Sequence, residues 1–106
     1  MPVITVVAKV KAKPGKEAAL ARALRALIAP THREEGCLRY ALNRSLDDPA
    51  TFVMIEKWTS REALDSHLAT PHLKAYFEKA PALSESWPIV DVFEPLTGGD
   101  KDKGQL

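Results

Sequence analysis

Residues 37–58 read CLRYALNRSLDDPATFVMIEKW, and the fold follows from how this stretch divides. Residues 37–46 alternate, with Leu38, Tyr40 and Leu42 on one side and Arg39, Ala41 and Asn43 on the other. Residues 51–58 alternate again: Phe52, Met54, Glu56 and Trp58 share one side, Val53, Ile55 and Lys57 the opposite one. A period of two puts successive side chains on opposite faces of a strand. Asp47-Asp48-Pro49 between the two runs is turn chemistry, so the stretch predicts an antiparallel hairpin.

Outward from the hairpin the period changes. Upstream, Leu20, Leu24, Leu27 and Ile28 form a helical stripe within residues 16–34. Pro30 removes a backbone donor and clashes one turn back, which predicts a kink or stop near Ala29, with Gly36 as the terminal stop. Downstream, Thr59 and Glu62 have capping-box spacing, opening a helix that carries Ala63, Leu64, His67 and Leu68. Thr70-Pro71 is a second helix start, with proline at the first helical position. It opens a short helix with Leu73, Tyr76 and Phe77, followed by a loop over 81–88. Residues 3–12, VITVVAKVKA, alternate as a first strand before Lys13-Pro14-Gly15, and residues 89–94 form a fourth strand ended by Pro95.

The expected order is β-α-β-β-α-β, an α+β, ferredoxin-like unit with a four-stranded antiparallel sheet and a broken second helix. It occupies residues 1–97 as a single domain. Residues 98–106, GGDKDKGQL, are expected to be a polar, flexible tail.

The chain has 106 residues, 45% of them apolar, which suits one domain without room for a separate cofactor domain. Fifteen basic and 14 acidic residues leave a net charge of +1, with no basic footprint for nucleic acid. No apolar run approaches the ~20 residues of a membrane span. The N-terminus does not read as a signal peptide, and a lone Cys37 implies neither a disulfide nor a cysteine-rich metal site. A cytoplasmic location is expected.

A sheet with one solvated face should alternate cleanly between apolar and polar. Here Val3 and Val7 put apolar groups on the second face of the first strand, the third strand is apolar on both faces, and Ile89, Val90, Val92 and Phe93 do the same for the fourth. One helical layer cannot cover both faces. A homodimer packed through its sheet faces is the expected solution.

Three histidines bear on chemistry. His32, beside Arg33, Glu34 and Glu35, reads as a solvated helix-end residue. His67 and His72 flank the Thr70-Pro71 break, where two short helices meet, and imidazole is a usable base near neutral pH. Each also suits a structural bond to a backbone carbonyl. No metal site is expected: the pair lacks the i, i+4 spacing of a helical zinc pair, no cysteine or acidic cluster accompanies it, and Glu56 on the third strand is the candidate third ligand. Glu56 and Trp58 share a strand face, so the carboxylate there is either paired or has a raised pKa. Trp58 suits the core or a stacking wall. Cys37 reads as a small buried hydrophobe.

The strings KPGK (13–16), EEGCLRY (34–40) and VMIEKWTSREALDSHLATPHLKAYFEKA (53–80) resemble the antibiotic biosynthesis monooxygenase domain, and within it the small bacterial quinol monooxygenase subgroup. The resemblance spans residues 3–96. It implies a dimeric α+β barrel with a pocket between sheet and helices in each subunit. It implies O2-dependent oxidation of a hydroquinone-like or polycyclic phenolic aromatic with no cofactor, because a phenol deprotonated in an apolar pocket can itself donate electrons to O2. His67 or His72 would be the base, Glu56 would orient a polar group, and Trp58 would stack on the ring. Tyr40 and Asn43 would add hydrogen bonds, and Phe52, Met54 and Tyr76 would complete the substrate wall. Haem-degrading relatives carry an asparagine on the first strand, which residues 1–12 lack. A branch acting on a small sugar-derived signal molecule shares the Glu-Glu-Gly and Thr-Pro-His elements, and a non-catalytic binding domain is a further alternative.

Overall fold

The hairpin forms where the alternation places it. In the computed structural model, which describes residues 2–106, β1 (Ile4–Lys11) is followed by α1 (Glu17–Arg25), α2 (Ile28–His32), β2 (Cys37–Arg44) and β3 (Thr51–Trp58). Then come α3 (Arg61–Leu68), α4 (Pro71–Leu83) and β4 (Ile89–Phe93). The four strands are antiparallel neighbours in the order β2-β3-β1-β4, the ferredoxin-like arrangement. Ser45 and Asp48 build the hairpin turn. The Ser45 hydroxyl accepts from the amides of Asp47 and Asp48, and the Asp48 carboxylate accepts from the Ala50 amide and the Thr51 hydroxyl.

Val6, Val10, Phe52, Met54, Glu56 and Trp58 face the helices and are buried against Leu20, Leu24, Leu64, Leu73 and Tyr76. The other face carries Val7, Val53 and Ile55 half-buried, with Ile89 and Phe93 exposed on the edge strand β4. Lys57, on that same face, donates from Nζ to Gln105 Oε1 and to the Leu106 carbonyl, so the end of the tail folds back to β3.

Several local expectations are corrected. The first helical stretch breaks at Ala26–Leu27, not near Ala29. Pro30 sits inside α2, and the helical bond that its missing N–H cannot make is the one to the Ala26 carbonyl, one turn back. The Leu27 amide bonds to Leu24, three residues back, as a tightened last turn does. The N-cap of α3 is Ser60, whose hydroxyl accepts from the Ala63 amide; Thr59 instead packs against Gly36. Thr70 and Pro71 open α4 as expected, but α4 continues through Pro81 to Leu83. Lys13 closes that end, its amide bonding to the Leu83 carbonyl and its ammonium to the Pro81 carbonyl.

β2 carries an irregularity between Cys37 and Arg39 that leaves Leu38 unpaired and two-fifths exposed, so Leu38 does not share a side with Tyr40. Gly36 is needed for space: its φ is not positive, and an added Cβ would overlap the Ala63 methyl and press on Thr59 Oγ1 at 3.0 Å. Gly36→Ala is therefore expected to destabilise by ~1–3 kcal/mol through overpacking. Urea unfolding checks it; an unchanged midpoint would show that α3 yields freely.

Candidate active site

Three elements converge on one carboxylate. Glu34 stands in the turn after α2, whose Cys37 amide bonds back to the Glu34 carbonyl. His67 is in the last turn of α3 and His72 in the first turn of α4. Thr70 holds the corner between them: its hydroxyl donates to the His67 carbonyl at 2.7 Å and accepts from the Leu73 amide. With the two helices so joined, Glu34 Oε2 lies 2.7 Å from His67 Nδ1 and 2.9 Å from His72 Nε2.

His67 is 2% exposed and ringed by aromatics. Trp58 lies 4.6 Å away between ring centroids, Tyr40 meets it edge-on at 5.3 Å, and His72 is 6.1 Å away. Burial pulls the His67 pKa down, opposed by the hydrogen bond and charge of Glu34. Since an ionised carboxylate only accepts, Nδ1 carries the proton and Nε2 keeps its lone pair. This is the carboxylate–imidazole arrangement that sets the tautomer of a general base.

The cavity beside His67 is apolar. Val6, Ala8, Val10, Leu42, Leu73 and Phe77 are among its walls, and it encloses about 60 Å³. Ligand pockets run to ~300 Å³ or more, so the enclosed space suits a diatomic or a water rather than a ring. Leu68 and Val90, both lining it and both more than two-fifths exposed, form its rim.

Tyr40, Phe52, Met54, Glu56, His67 and Tyr76 all line this cavity. The Tyr76 hydroxyl is buried without a hydrogen-bond partner, and burial pushes its pKa up to about 12, so it stands as a neutral donor. Burial likewise pushes the Tyr40 phenol up. Trp58 and His72 are placed differently from expectation. Trp58 is fully buried behind His67, donating from Nε1 to Glu56 Oε1 at 2.9 Å, and does not border the cavity. His72 lies on the solvent side of Glu34, its side chain 21% exposed. Asn43 pairs with Val53 on the other sheet face and donates to the Ala41 carbonyl, away from this cluster. Cys37, its thiol pushed up by burial, is not an activated nucleophile.

Glu34 is the residue that sequence reasoning missed. It was visible as a charged neighbour of His32, which in fact bonds the Tyr40 carbonyl at 3.0 Å, and as part of the Glu-Glu-Gly element of the resemblance, with no role assigned to it. The third group beside the two histidines is Glu34, not Glu56. The one available signal was its place two residues before a glycine that permits close approach to α3.

Burial raises the Glu56 pKa from 4.5 to about 7; the Trp58 hydrogen bond opposes this and the Glu34 charge adds to it. The folded state thus holds the Glu56 proton more tightly than the unfolded chain. Its contribution to stability is complete below about pH 4.5 and is lost as pH rises through about 7, a loss of roughly 3 kcal/mol. His67, lowered on folding, acts in the opposite sense below about pH 6.5, and this cancels when two variants are compared. Glu56→Gln keeps an acceptor for Trp58 and is expected to be the more stable protein at pH 8 but not at pH 4. Parallel stability–pH curves for the two proteins would rule out titration of Glu56.

Comparison with known proteins bears on this site. The family model described as antibiotic biosynthesis monooxygenase matches residues 3–79. The chain is 39% identical to the probable quinol monooxygenase YgiN of Escherichia coli, over 71% of this chain and 82% of that one. The solved structure of Rv0793 from Mycobacterium tuberculosis superposes with a TM-score of 0.85 at 34% identity, covering 92% of this chain and 99% of that one. An uncharacterised Synechocystis protein is 32% identical over 80 residues, and there the chain spans only 54% of the relative's length.

Proposed function

The chain belongs to the antibiotic biosynthesis monooxygenase family, and from that premise we propose that it uses O2, without a cofactor, to oxidise a hydroquinone-like or polycyclic phenolic aromatic. The observation that carries this reading is the Glu34–His67 dyad at the wall of an apolar cavity. With Nδ1 engaged by Glu34, Nε2 is the nitrogen left for a phenol. Tyr76, and Glu56 in its protonated form, supply donors to the substrate oxygens. Tyr40, Phe52, Met54 and Phe77 supply a flat, apolar enclosure.

The chemistry asks little else of the protein. The phenol O–H proton passes to His67 Nε2, leaving an electron-rich phenolate in a poorly solvated site. The phenolate gives one electron to O2, and the resulting radical and superoxide combine as a carbon–peroxide bond. His67 returns its proton to the peroxide; loss of the proton on the same ring carbon then breaks the O–O bond, leaving one oxygen on the ring as a quinone carbonyl while the other departs as hydroxide and takes up that ring proton to become water. The substrate supplies all the electrons. Because the enclosed space is smaller than a ring, substrate enters by displacing the Leu68–Val90 rim.

Oxygen uptake with reduced naphthoquinones and hydroxynaphthalenes tests the reading. Uptake above the uncatalysed rate, lost in His67→Ala, is expected; uptake no faster than in buffer would overturn it.

We also propose that the unit in solution is a homodimer packed through the face carrying Val7, Val53, Ile55, Ile89 and Phe93, an apolar set that the helices leave uncovered. Sedimentation is expected to give a dimer that Ile55→Lys converts to monomer. A wild-type monomer at micromolar concentration would remove the idea. No described helix is long and apolar enough to cross a membrane, and a free Cys37 thiol suits the reducing cytoplasm.

A further inference from the structure

The proposed dyad needs one imidazole, yet two meet at the same oxygen. Glu34 Oε2, His67 Nδ1 and His72 Nε2 all lie within 4.8 Å of one another. We infer that Glu34, His67 and His72 form a binding site for one divalent transition-metal ion of the zinc and cobalt class, and that its occupancy makes His67 a donor instead of an acceptor towards the cavity. The second half of this statement rests on the proposed role of His67 as base.

The donor set fits. Two imidazoles and one carboxylate, with further positions open to water, suit Zn²⁺, Co²⁺ or Fe²⁺. The spacing fits as well. Bonds of about 2.0–2.2 Å hold neighbouring ligand atoms about 2.8–3.1 Å apart in octahedral and about 3.3–3.6 Å apart in tetrahedral geometry. The two edges at Oε2 measure 2.7 and 2.9 Å, near octahedral spacing, and the nitrogen–nitrogen edge lies within 4.8 Å, so small side-chain rotations bring the three atoms onto one ion. An ion replaces the two shared protons that now hold these atoms together. The scaffold is set in advance by the Thr70 corner between α3 and α4. Entry is from the solvent side, where the side chains of Glu34 and His72 are 15% and 21% exposed while that of His67 is 3% exposed. The metal therefore sits beside Glu34 and His72, neither of which borders the cavity that His67 lines.

That placement has a chemical consequence. Neutral His67 now carries its proton on Nδ1 and its lone pair on Nε2. A metal at Nδ1 needs the lone pair there, so the proton moves to Nε2, with no electron transferred and no net proton lost from the ring. His72, bound through Nε2, gives up the Nε2 proton it shares with Glu34 and carries one on Nδ1 instead. An Nε2–H can donate to a phenol oxygen in the cavity but cannot take its proton. The loaded protein binds substrate without activating it.

Calorimetric and visible-absorption titration with Co²⁺ tests the site without reference to activity. One Co²⁺ per chain is expected. Glu34→Gln and His72→Gln should each weaken binding about tenfold or more, while His32→Gln leaves it unchanged and circular dichroism shows every variant folded. No saturable binding at millimolar Co²⁺, binding that survives both substitutions, or binding lost in His32→Gln would overturn the site. Oxygen uptake forms a second arm and should fall in proportion to Zn²⁺ occupancy. Uptake that persists at full occupancy would overturn the tautomer switch. A protein that binds Co²⁺ at this site but oxidises no phenol would instead overturn the substrate reading and leave the metal site standing.

Discussion

Glu34→Gln is expected to lower kcat for oxidation of a reduced hydroxynaphthalene by about 10²–10⁴-fold, with KM little changed. The carboxylate is absent from the cavity wall, so its loss should not remove substrate contacts. In the proposed mechanism it acts through His67, 2.7 Å away, and that bond does two things. It keeps the proton on Nδ1, so that Nε2 can accept, and it stabilises the imidazolium formed when Nε2 takes the phenol proton. A neutral amide stabilises that cation far less and can present its N–H₂ to Nδ1, selecting the wrong tautomer. The split between kcat and KM separates this from a packing defect, which would disturb both. An oxygen electrode, corrected for autoxidation of the substrate, reads the rate. Equal kcat in wild type and Glu34→Gln would remove Glu34 from the reaction.

Trp58→Ala is expected to cost ~3–5 kcal/mol of stability, as large-to-small substitutions at closed aromatic sites do. For a domain of this size that is a fall in Tm on the order of 12 °C or more. Trp58 is fully buried, so truncation leaves a cavity. It also takes away the only hydrogen bond the Glu56 side chain makes among the described residues, and the ring packed 4.6 Å from His67. Trp58→Phe separates these effects. It restores most of the volume but not the Nε1–H, so it should recover most of the stability. The Glu56 pKa should still rise further, since the Trp58 hydrogen bond is what holds it down. Calorimetry reads the first effect, and carboxyl titration by NMR the second. A Trp58→Phe protein with an unshifted Glu56 would show that the indole N–H does not tune this carboxyl.

The elements were legible in the sequence because each rests on a short repeat. Phe52, Met54, Glu56 and Trp58 at spacing two placed β3 at its observed limits, and the inner face of β1 followed from Ile4, Val6, Ala8 and Val10. Thr70-Pro71 marked the start of α4 because a hydroxyl cap and a fixed φ act within one turn. Where a local signal had two solutions, packing chose between them. Thr59 and Ser60 both suit an N-cap, and Thr59 is drawn into the contact with Gly36. Pro30 allowed a break one turn back or beside itself.

The site divides in the same way. Alternation along β3 alone put Glu56 on the helix-facing side, and the helix break alone put His67 and His72 at a corner. The pairing of both histidines with Glu34 had no local mark, because the bonds join residues 33 and 38 positions apart. Their direction depends on the turn after α2 and on the glycine that lets it approach α3. Leu38 fell on an unexpected side because one unpaired residue in β2 resets an alternation that sequence reads as continuous, whereas Asn43 kept the side opposite Tyr40 that the alternation gave it and for that reason lies away from the site. Periodicity along the chain thus determined the strands, the helices and the burial of one carboxyl. Tertiary packing alone decided which carboxylate reaches His67, and hence which nitrogen of that ring keeps its lone pair.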